Sequence, residues 1–265
     1  MTAALFLADA ADVAVAQVGD LVELTGPEGR HAVAVKRVTV GEQVDLADGA
    51  GTVLHARVES VAGRDSLRAL VLERIASPAP EPRIVVVQAL PKGERGETAV
   101  ETLTEVGVDE IVPWQAERCI ARWSGDKALR GRAKWSGAAR AAGKQARRAW
   151  FPQVAAIAST AEVEGRITSA GLAVVLHEDA TARLRDLTIP PTGEVVLIVG
   201  PEGGVSPAEL ERLAAAGATP ARLGPSVLRT STAGTVAAAV VLASTDRWSC
   251  PSRRRPSRRR PSRRR

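Results

Sequence analysis

The sequence predicts an α/β protein in two parts, a small β-barrel followed by a larger domain built on a mainly parallel sheet. Short β-type runs alternate with turn signals from residue 18 to about residue 75. Three prolines then fall within residues 77–82, where neither a strand nor a helix can continue. Beyond them, strand-like and helix-like segments alternate as far as residue 245, which is typical of a sheet covered by helices on both faces.

The barrel is assigned to residues 1–76, and residues 77–82 are assigned to a linker. Its predicted strands are 21–24, 43–46, 52–58 and 67–72. Two turn signals, Thr25-Gly26-Pro27 and Ala47-Asp48-Gly49, punctuate these runs. The spacing of strands and turns indicates a small antiparallel barrel or sandwich.

The second domain is assigned to residues 83–248, with strands at 83–90, 109–113, 172–176, 194–199 and 219–223 and helices at 94–106, 128–148, 207–216 and 231–245. The helix at 207–216 carries the clearest local signals. Ser206 is suited to its N-cap, Pro207 to its first position, and Gly217 to the position just after its end. Glu209, three residues after Ser206, completes the pattern of a capping box.

The formal charge of +6 is distributed unevenly along the chain. Nine of the 36 basic residues lie in the arginine repeat at 249–265, which leaves 27 basic against 30 acidic side chains in residues 1–248. We expect the repeat to be a disordered tail, either a nonspecific RNA-binding segment or an extension unrelated to the activity. Within the acidic body, residues 118–148 hold ten basic side chains and one acidic one, Asp126, which favours a polyanionic partner.

Several classes of protein are disfavoured by composition. Cys119 and Cys250 are too few for a disulfide framework, and His31, His55 and His177 lack the spacing of metal ligands, so no metal is expected. The longest apolar run, residues 230–245, is too short to cross a membrane, and the N-terminus does not read as a secretory signal. A cytoplasmic protein without a membrane partner is therefore expected.

Three segments fall at the carboxyl ends of predicted strands, where open α/β sheets bind their ligands. They are 176–178, 200–204 and 223–230. No GxxxxGK[ST] loop is present, and no lysine stands beside the glycines, which argues against phosphate chemistry. Gly203 and Gly204 let the backbone approach a flat ligand such as adenine, so the three segments predict one pocket.

The ordered motifs LPKG (90–93), TEVGVDEIVP (104–113), GPEGG (200–204) and LGPSVLRT (223–230) make the chain recognisable. With His31-Ala32-Val33-Ala34-Val35-Lys36-Arg37-Val38, Val40-Gly41-Glu42 and Glu117-Arg118, they resemble the bacterial 16S ribosomal RNA uracil-N3 methyltransferases of the knotted SPOUT superfamily. The resemblance covers about residues 3–247. It implies a PUA-like RNA-binding barrel, a deep C-terminal trefoil knot, bound S-adenosylmethionine and a homodimer. The implied target is N3 of uridine 1498 in 16S ribosomal RNA, and the substrate is either the free RNA or the RNA within the small subunit.

Site residues are carried over by motif. The implied cofactor contacts, mostly through backbone atoms, are Leu176, Gly200, Glu202, Gly203, Gly204, Leu223, Gly224, Leu228 and Thr230. Arg229 cannot be the base, because a guanidinium stays protonated in proteins. It is the candidate to stabilise negative charge on the uracil, and binding a phosphate or forming a structural salt bridge are its alternative roles. Glu202 is either a base or a residue that fastens the knot loop. Many relatives read LGPRxLRTET, so Ser226 and Ser231 replace an arginine and a glutamate, and no base is assigned.

The residues expected to hold RNA are Arg30, His31, Lys36, Arg37, Lys92, Arg95, Arg118, Arg122, Lys144, Arg147 and Arg148. His31 is equally compatible with a packing role in the barrel. Two other functions stay open at this point. One is a knotted methyltransferase of ribose 2′-hydroxyls in transfer or ribosomal RNA, and the other is a non-catalytic RNA-binding assembly factor.

Overall fold

A computed structural model describes residues 3–93 and 95–248 of the 265-residue chain. The predicted tail at 249–265, with Cys250, lies outside the described residues. The described residues form two β-sheets, one on each side of the proline-rich segment 77–82. Each sheet has its own cluster of buried apolar side chains.

The N-terminal sheet has five strands in the order β1-β3-β4-β5-β2. They are β1 (Ala4–Leu7), β2 (Leu21–Leu24), β3 (Gln43–Ala47), β4 (Thr52–Ala62) and β5 (Ser66–Ala76). All pairs are antiparallel except β1 with β3. Alternate side chains of the strands point inward, and Phe6, Leu46, Leu54 and Leu67 are fully buried there.

Two short helices complete the N-terminal part, α1 (Ala10–Val15) and α2 (Gly26–Arg30), and α2 continues as a π-helical segment, His31–Val35. Residues 25–27 were predicted as a turn, and this was wrong. Thr25 is the N-cap of α2 and Pro27 lies in its first turn, where a missing backbone N–H costs nothing. Gly26, with φ of 62°, and Pro27 are residue types that turns also favour, which accounts for the resemblance to a turn.

The second sheet has seven strands, all parallel, in the order β10-β12-β9-β11-β6-β7-β8. The strands are β6 (Arg83–Ala89), β7 (Glu110–Trp114), β8 (Gln153–Val154), β9 (Leu172–Leu176), β10 (Ala182–Arg183), β11 (Glu194–Val199) and β12 (Thr219–Arg222). The helices are α3 (Arg95–Val106), α4 (Gly125–Gln145), α5 (Thr160–Ser169), α6 (Pro207–Ala215) and α7 (Thr230–Ala243). The prediction of an α/β fold with a parallel sheet is confirmed.

Helix α7 determines where the last loop runs. The chain leaves β12 near one edge of the sheet and returns to pack α7 against α3, β6 and β11. A Cβ atom at Gly234 would lie only 3.2–3.3 Å from Leu103, Val199 and Val86, so the missing side chain lets α7 sit closely on the sheet. The connecting segment 223–229 consequently passes the carboxyl ends of the central strands.

Helix α6 begins and ends largely as its sequence predicts. Ser206 Oγ accepts the Glu209 N–H at 3.2 Å, Pro207 is the first helical residue, and Gly217 follows the C-cap with φ of 112°. The predicted capping box is wrong. The buried Glu209 carboxylate instead accepts the backbone N–H of Glu117 and the Thr160 hydroxyl, both at 2.9 Å. A tertiary contact thus replaces the local one.

Candidate cofactor cavity and nucleic-acid surface

The structure brings the three predicted loop segments together around one cavity of about 360 Å³. Strands β9 and β11 are neighbours, as are β9 and β12, and all run parallel. The segments that follow them therefore emerge at one edge of the sheet. Helix α7 closes the cavity through Thr230 and Ala233.

Eight of the nine predicted cofactor-contact residues line this cavity: Leu176, Gly200, Glu202, Gly204, Leu223, Gly224, Leu228 and Thr230. Gly203 is not among its lining residues, and its carbonyl oxygen accepts a hydrogen bond from Arg118 Nη1 at 3.1 Å. Gly204 has φ of 72°, a conformation that favours glycine. A Cβ atom at Gly204 or at Gly224 would meet no atom within 4 Å, so the backbone at both positions faces open space.

The GPEGG loop is held by contacts from other loops. Glu202 Oε1 accepts the backbone N–H of Lys92 at 3.1 Å and lies 3.7 Å from Arg95 Nη1. Ser206 Oγ donates to Glu117 Oε2 at 2.5 Å. The Glu202 side chain, 29% exposed, thus joins the LPKG motif to the cavity. These contacts favour the loop-fastening interpretation of Glu202.

Arg229 occupies the N-cap position of α7, where its carbonyl oxygen accepts the N–H groups of Thr232 and Ala233 at 2.9 Å. Its side chain is exposed and borders the cavity. Within residues 3–93 and 95–248 the guanidinium has no hydrogen-bond or ion-pair partner. A structural salt bridge at Arg229 therefore has no support in the described residues.

Three ionisable residues of the cavity wall are absent from the predicted site residues: His177 and Glu178 after β9, and Arg222 at the end of β12. Their positions beside strand ends were the available signal. His177 Nδ1 accepts the backbone N–H of Asp179 at 3.2 Å, which leaves the proton of a neutral ring on Nε2. Glu178 and Arg222 are exposed.

The predicted RNA-binding residues fall into two groups. Most are exposed: Arg30, Lys36, Arg37, Lys92, Arg95, Arg118, Arg122 and Arg147. Two are better explained by the fold. Lys144 Nζ pairs with Glu28 Oε1 at 2.6 Å and joins helix α4 to helix α2. Arg148, only 12% exposed, donates to the Thr104 and Val108 carbonyls and to Asp109. Burial lowers the pKa of the Arg148 guanidinium to about 10, so it remains a cation at neutral pH.

His31 is half-buried, and its ring meets the Phe6 ring edge-on at a centroid distance of 6.0 Å. This contact supports a packing role for His31 in the barrel.

Cys119 is buried, and burial raises the pKa of its thiol, which disfavours the thiolate that a metal needs. Among the described residues no group of His, Cys, Asp or Glu side chains could hold a metal ion. In that same part of the chain, no helix has the length and apolar character to cross a membrane.

Comparison with known proteins gives the class. Residues 78–242 match the family model described as RNA methyltransferase domain, and residues 24–72 match the one described as RNA methyltransferase PUA domain. The chain belongs to this RNA methyltransferase family. Proteins named ribosomal RNA small subunit methyltransferase E are similar to this chain along most of their length. That of Mycobacterium tuberculosis is 45% identical, with 94% of each chain covered, and that of Bacillus subtilis is 30% identical, covering 84% of this chain and 90% of the relative.

Solved structures agree with this assignment. A methyltransferase of Legionella pneumophila, in complex with S-adenosylmethionine, superposes with a TM-score of 0.82 at 29% identity, covering 92% of this chain and 99% of the other. The ribosomal RNA small subunit methyltransferase E of Neisseria gonorrhoeae, also bound to S-adenosylmethionine, gives 0.81 at 26% identity, with 91% and 98% covered. The predicted family and fold class are thereby confirmed.

Proposed function

We propose that the protein transfers a methyl group from S-adenosylmethionine to N3 of a uridine in 16S ribosomal RNA, at position 1498 by family resemblance. The observation that carries this proposal is the glycine-lined cavity at the carboxyl ends of β9, β11 and β12, in a chain of the RNA methyltransferase family. Proteins that are similar along most of the chain are named for the small subunit. The similar structures that contain S-adenosylmethionine support the choice of cofactor.

The cavity fits a nucleoside-sized ligand. Its volume of about 360 Å³ lies within the range of small-molecule sites. The open backbone at Gly204 and Gly224 offers N–H and C=O groups to the adenine, and Leu176, Leu223 and Leu228 supply apolar contact. When bound, the cofactor supplies an electrophilic methyl group on a sulfonium. The residues of the chain then have to hold the uracil in line and accommodate the loss of its N3 proton.

Arg229 is the group proposed to stabilise the negative charge that develops on the uracil oxygens, because it is exposed at the cavity and has no described partner. Glu202 is proposed chiefly to fasten the GPEGG loop, since its carboxylate is engaged by the Lys92 N–H and by Arg95. A neutral His177 carries its proton on Nε2, and its Nδ1 lone pair accepts the Asp179 N–H. The ring is therefore poorly placed to accept the N3 proton of the uracil. Glu178 is the remaining carboxylate of the described cavity wall.

Uracil N3 lies on the pairing edge of the base, so the target nucleotide has to be unpaired or extruded before reaction. The exposed residues of the predicted RNA-binding set are proposed to bind the surrounding RNA: Arg30, Lys36, Arg37, Lys92, Arg95, Arg118, Arg122 and Arg147. The arginine repeat at 249–265 is proposed to add affinity without selecting the nucleotide.

The proposal extends to a trefoil knot, a homodimer and a cytoplasmic location. The return of α7 from β12 to β11, β6 and α3 supports the knot, because it brings segment 223–229 beside the GPEGG loop at one cavity. The domain limits at 76 and 83 are supported by the separate cores of the two sheets.

The decisive experiment uses full-length protein, S-adenosylmethionine and small subunits from cells that lack the modification. Mass spectrometry of nuclease fragments then maps the methyl group. Methylation of one uridine at N3 supports the proposal. A 2′-O-methyl product identifies the ribose enzyme instead, and cofactor binding without transfer to subunits or naked RNA identifies a non-catalytic factor. Calorimetry in a chelator tests the cofactor site separately, and binding that requires a divalent ion contradicts it.

A further inference from the structure

A second cavity, of about 310 Å³, lies between α3, α4 and the LPKG motif. Leu90, Pro91 and Gly93 line it, while their neighbour Lys92 donates its backbone N–H to Glu202 of the first cavity. Arg95, at the start of α3, lines the first cavity. Residues 90–93 and Arg95 thus lie between the two cavities, so a ligand in the second one would be adjacent to the proposed reaction site.

Two tryptophans form the aromatic wall of the second cavity. The rings of Trp123 and Trp135 meet edge to face, with centroids 5.1 Å apart and planes at 69°. Two glycines leave room for these rings. A Cβ at Gly131 would lie 2.5 Å from the Trp123 ring, and one at Gly96 would lie 2.8 Å from the Trp135 ring. Trp135 is buried, whereas Trp123 is only half-buried.

The polar atoms of this wall are donors that lack acceptors. Throughout residues 3–93 and 95–248, hydrogen bonds from an indole N–H are made by Trp114 and Trp150, and neither Trp123 nor Trp135 makes one. Both indole N–H groups belong to residues of the cavity wall. A ligand that offers acceptor atoms beside an aromatic ring would satisfy them.

Positive charge surrounds the same cavity. Lys127, Arg130 and Lys134 project from one face of α4 at helical spacing. Glu97, the acidic residue among the described lining residues, is paired with Lys134 at 2.7 Å. Lys127 and Arg130 are exposed, and their side chains form no ion pair within the described part of the chain. Two neighbouring cations without a counter-ion favour an anionic ligand.

We infer that this cavity binds one unpaired nucleotide of the RNA substrate, close in sequence to the target uridine. Its base lies against the Trp123 ring and accepts a hydrogen bond from the Trp135 indole N–H, and its phosphate lies between Lys127 and Arg130. Aromatic stacking and basic contacts together are the usual means of holding single-stranded nucleic acid. The inference rests on the proposed function for the identity of the substrate. It assigns a second site, which binds RNA beside the methylated base.

The test measures binding of a fluorescein-labelled ten-nucleotide single-stranded RNA to the full-length protein by anisotropy, in the presence of S-adenosylmethionine. The double variant Lys127→Ala/Arg130→Ala removes two exposed cations of the cavity. The matched control, Arg140→Ala, removes an exposed cation of α4 that does not line it. Trp123→Leu removes the stacking ring, and Trp123→Phe retains an aromatic ring if the leucine variant fails to fold.

We expect Trp123→Leu to weaken RNA binding about 10-fold and Trp123→Phe to weaken it less. The double variant should lose affinity and show a lower salt dependence than Arg140→Ala. Cofactor affinity by calorimetry should stay at the level of the unmodified protein. RNA affinity in the Trp123 and double variants that equals that of the Arg140→Ala control overturns the inference, even if methylation is observed. Conversely, a protein that methylates no RNA but loses RNA binding with these variants would refute the proposed function and leave this site standing.

Discussion

Replacing Glu202 distinguishes its two candidate roles. Its carboxylate accepts the backbone N–H of Lys92 at 3.1 Å and faces the Arg95 guanidinium at 3.7 Å. If Glu202 fastens the loop, an amide oxygen can replace the carboxylate oxygen at that N–H. If it is the base that removes the N3 proton, an amide cannot replace it.

The contacts set the expected magnitudes. Glu202→Gln keeps an acceptor for Lys92 and loses mainly the ionic attraction to Arg95, between side chains that are 29% and 50% exposed. Exposed pairs of this kind contribute about 0–1 kcal/mol, so cofactor affinity should fall by at most about fivefold. Glu202→Ala also removes the hydrogen bond of a charged acceptor, which contributes about 1.5–3 kcal/mol. Its cofactor affinity should fall roughly 10- to 150-fold.

Cofactor affinity is measured by calorimetry, and methyl transfer is measured in single turnovers at saturating cofactor. Glu211→Gln serves as the control, because Glu211 lies on the exposed side of α6 outside the cavity. We expect Glu202→Gln to retain transfer within a few-fold of the control. Loss of transfer by 100-fold or more with unchanged cofactor affinity would show that Glu202 acts as the base, as in general acid–base catalysis of about 10²–10⁴-fold.

Three further outcomes are expected. Arg229→Ala should lower methyl transfer about 100-fold with little change in melting temperature, because the side chain is exposed without a described partner, and Arg229→Lys should restore little. Asp109→Ala should lower the free energy of unfolding by about 3–5 kcal/mol in urea titrations, since its largely buried carboxylate binds Arg247 at 2.5 and 3.0 Å. The control, Asp186→Ala, removes one partner of an exposed ion pair and should lower the free energy of unfolding by less than about 1 kcal/mol. Deleting 249–265 should flatten the salt dependence of RNA binding, and the methylated nucleotide, mapped by mass spectrometry, should stay the same.

The sequence was sufficient for the parallel sheet because its central strands are buried on both faces. Such strands are nearly continuous apolar runs, and the predicted bounds 172–176 and 194–199 coincide with β9 and β11. The cavity followed from the rule that ligands bind at the carboxyl ends of parallel strands. That rule selects segments rather than individual side chains, which is why His177, Glu178 and Arg222 were passed over.

What the sequence could not supply were contacts between residues far apart in the chain. Lys144 and Arg148 look like further members of a basic surface until Glu28 and Asp109 are brought beside them. Glu209 has the spacing of a capping box, yet its carboxylate reaches Glu117, 92 residues away. In contrast, helix α5 was missed despite a local signal, since Ser159 and Glu162 form a complete capping box.

The charges at the cofactor cavity bear on how a chain with serine at position 231 could carry out the proposed reaction. The charged residues of the described wall are Arg95, Arg222 and Arg229 against Glu178 and Glu202, and Arg95 and Glu202 face each other. With that pair set aside, Arg222 and Arg229 outnumber Glu178, and the net positive charge favours the deprotonated, anionic form of uracil. A carboxylate at position 231 would oppose that effect, whereas the buried Ser231 adds no charge. In the proposed reaction, catalysis would then depend on making the N3 proton easier to lose and on alignment with the methyl group, more than on a strongly basic side chain.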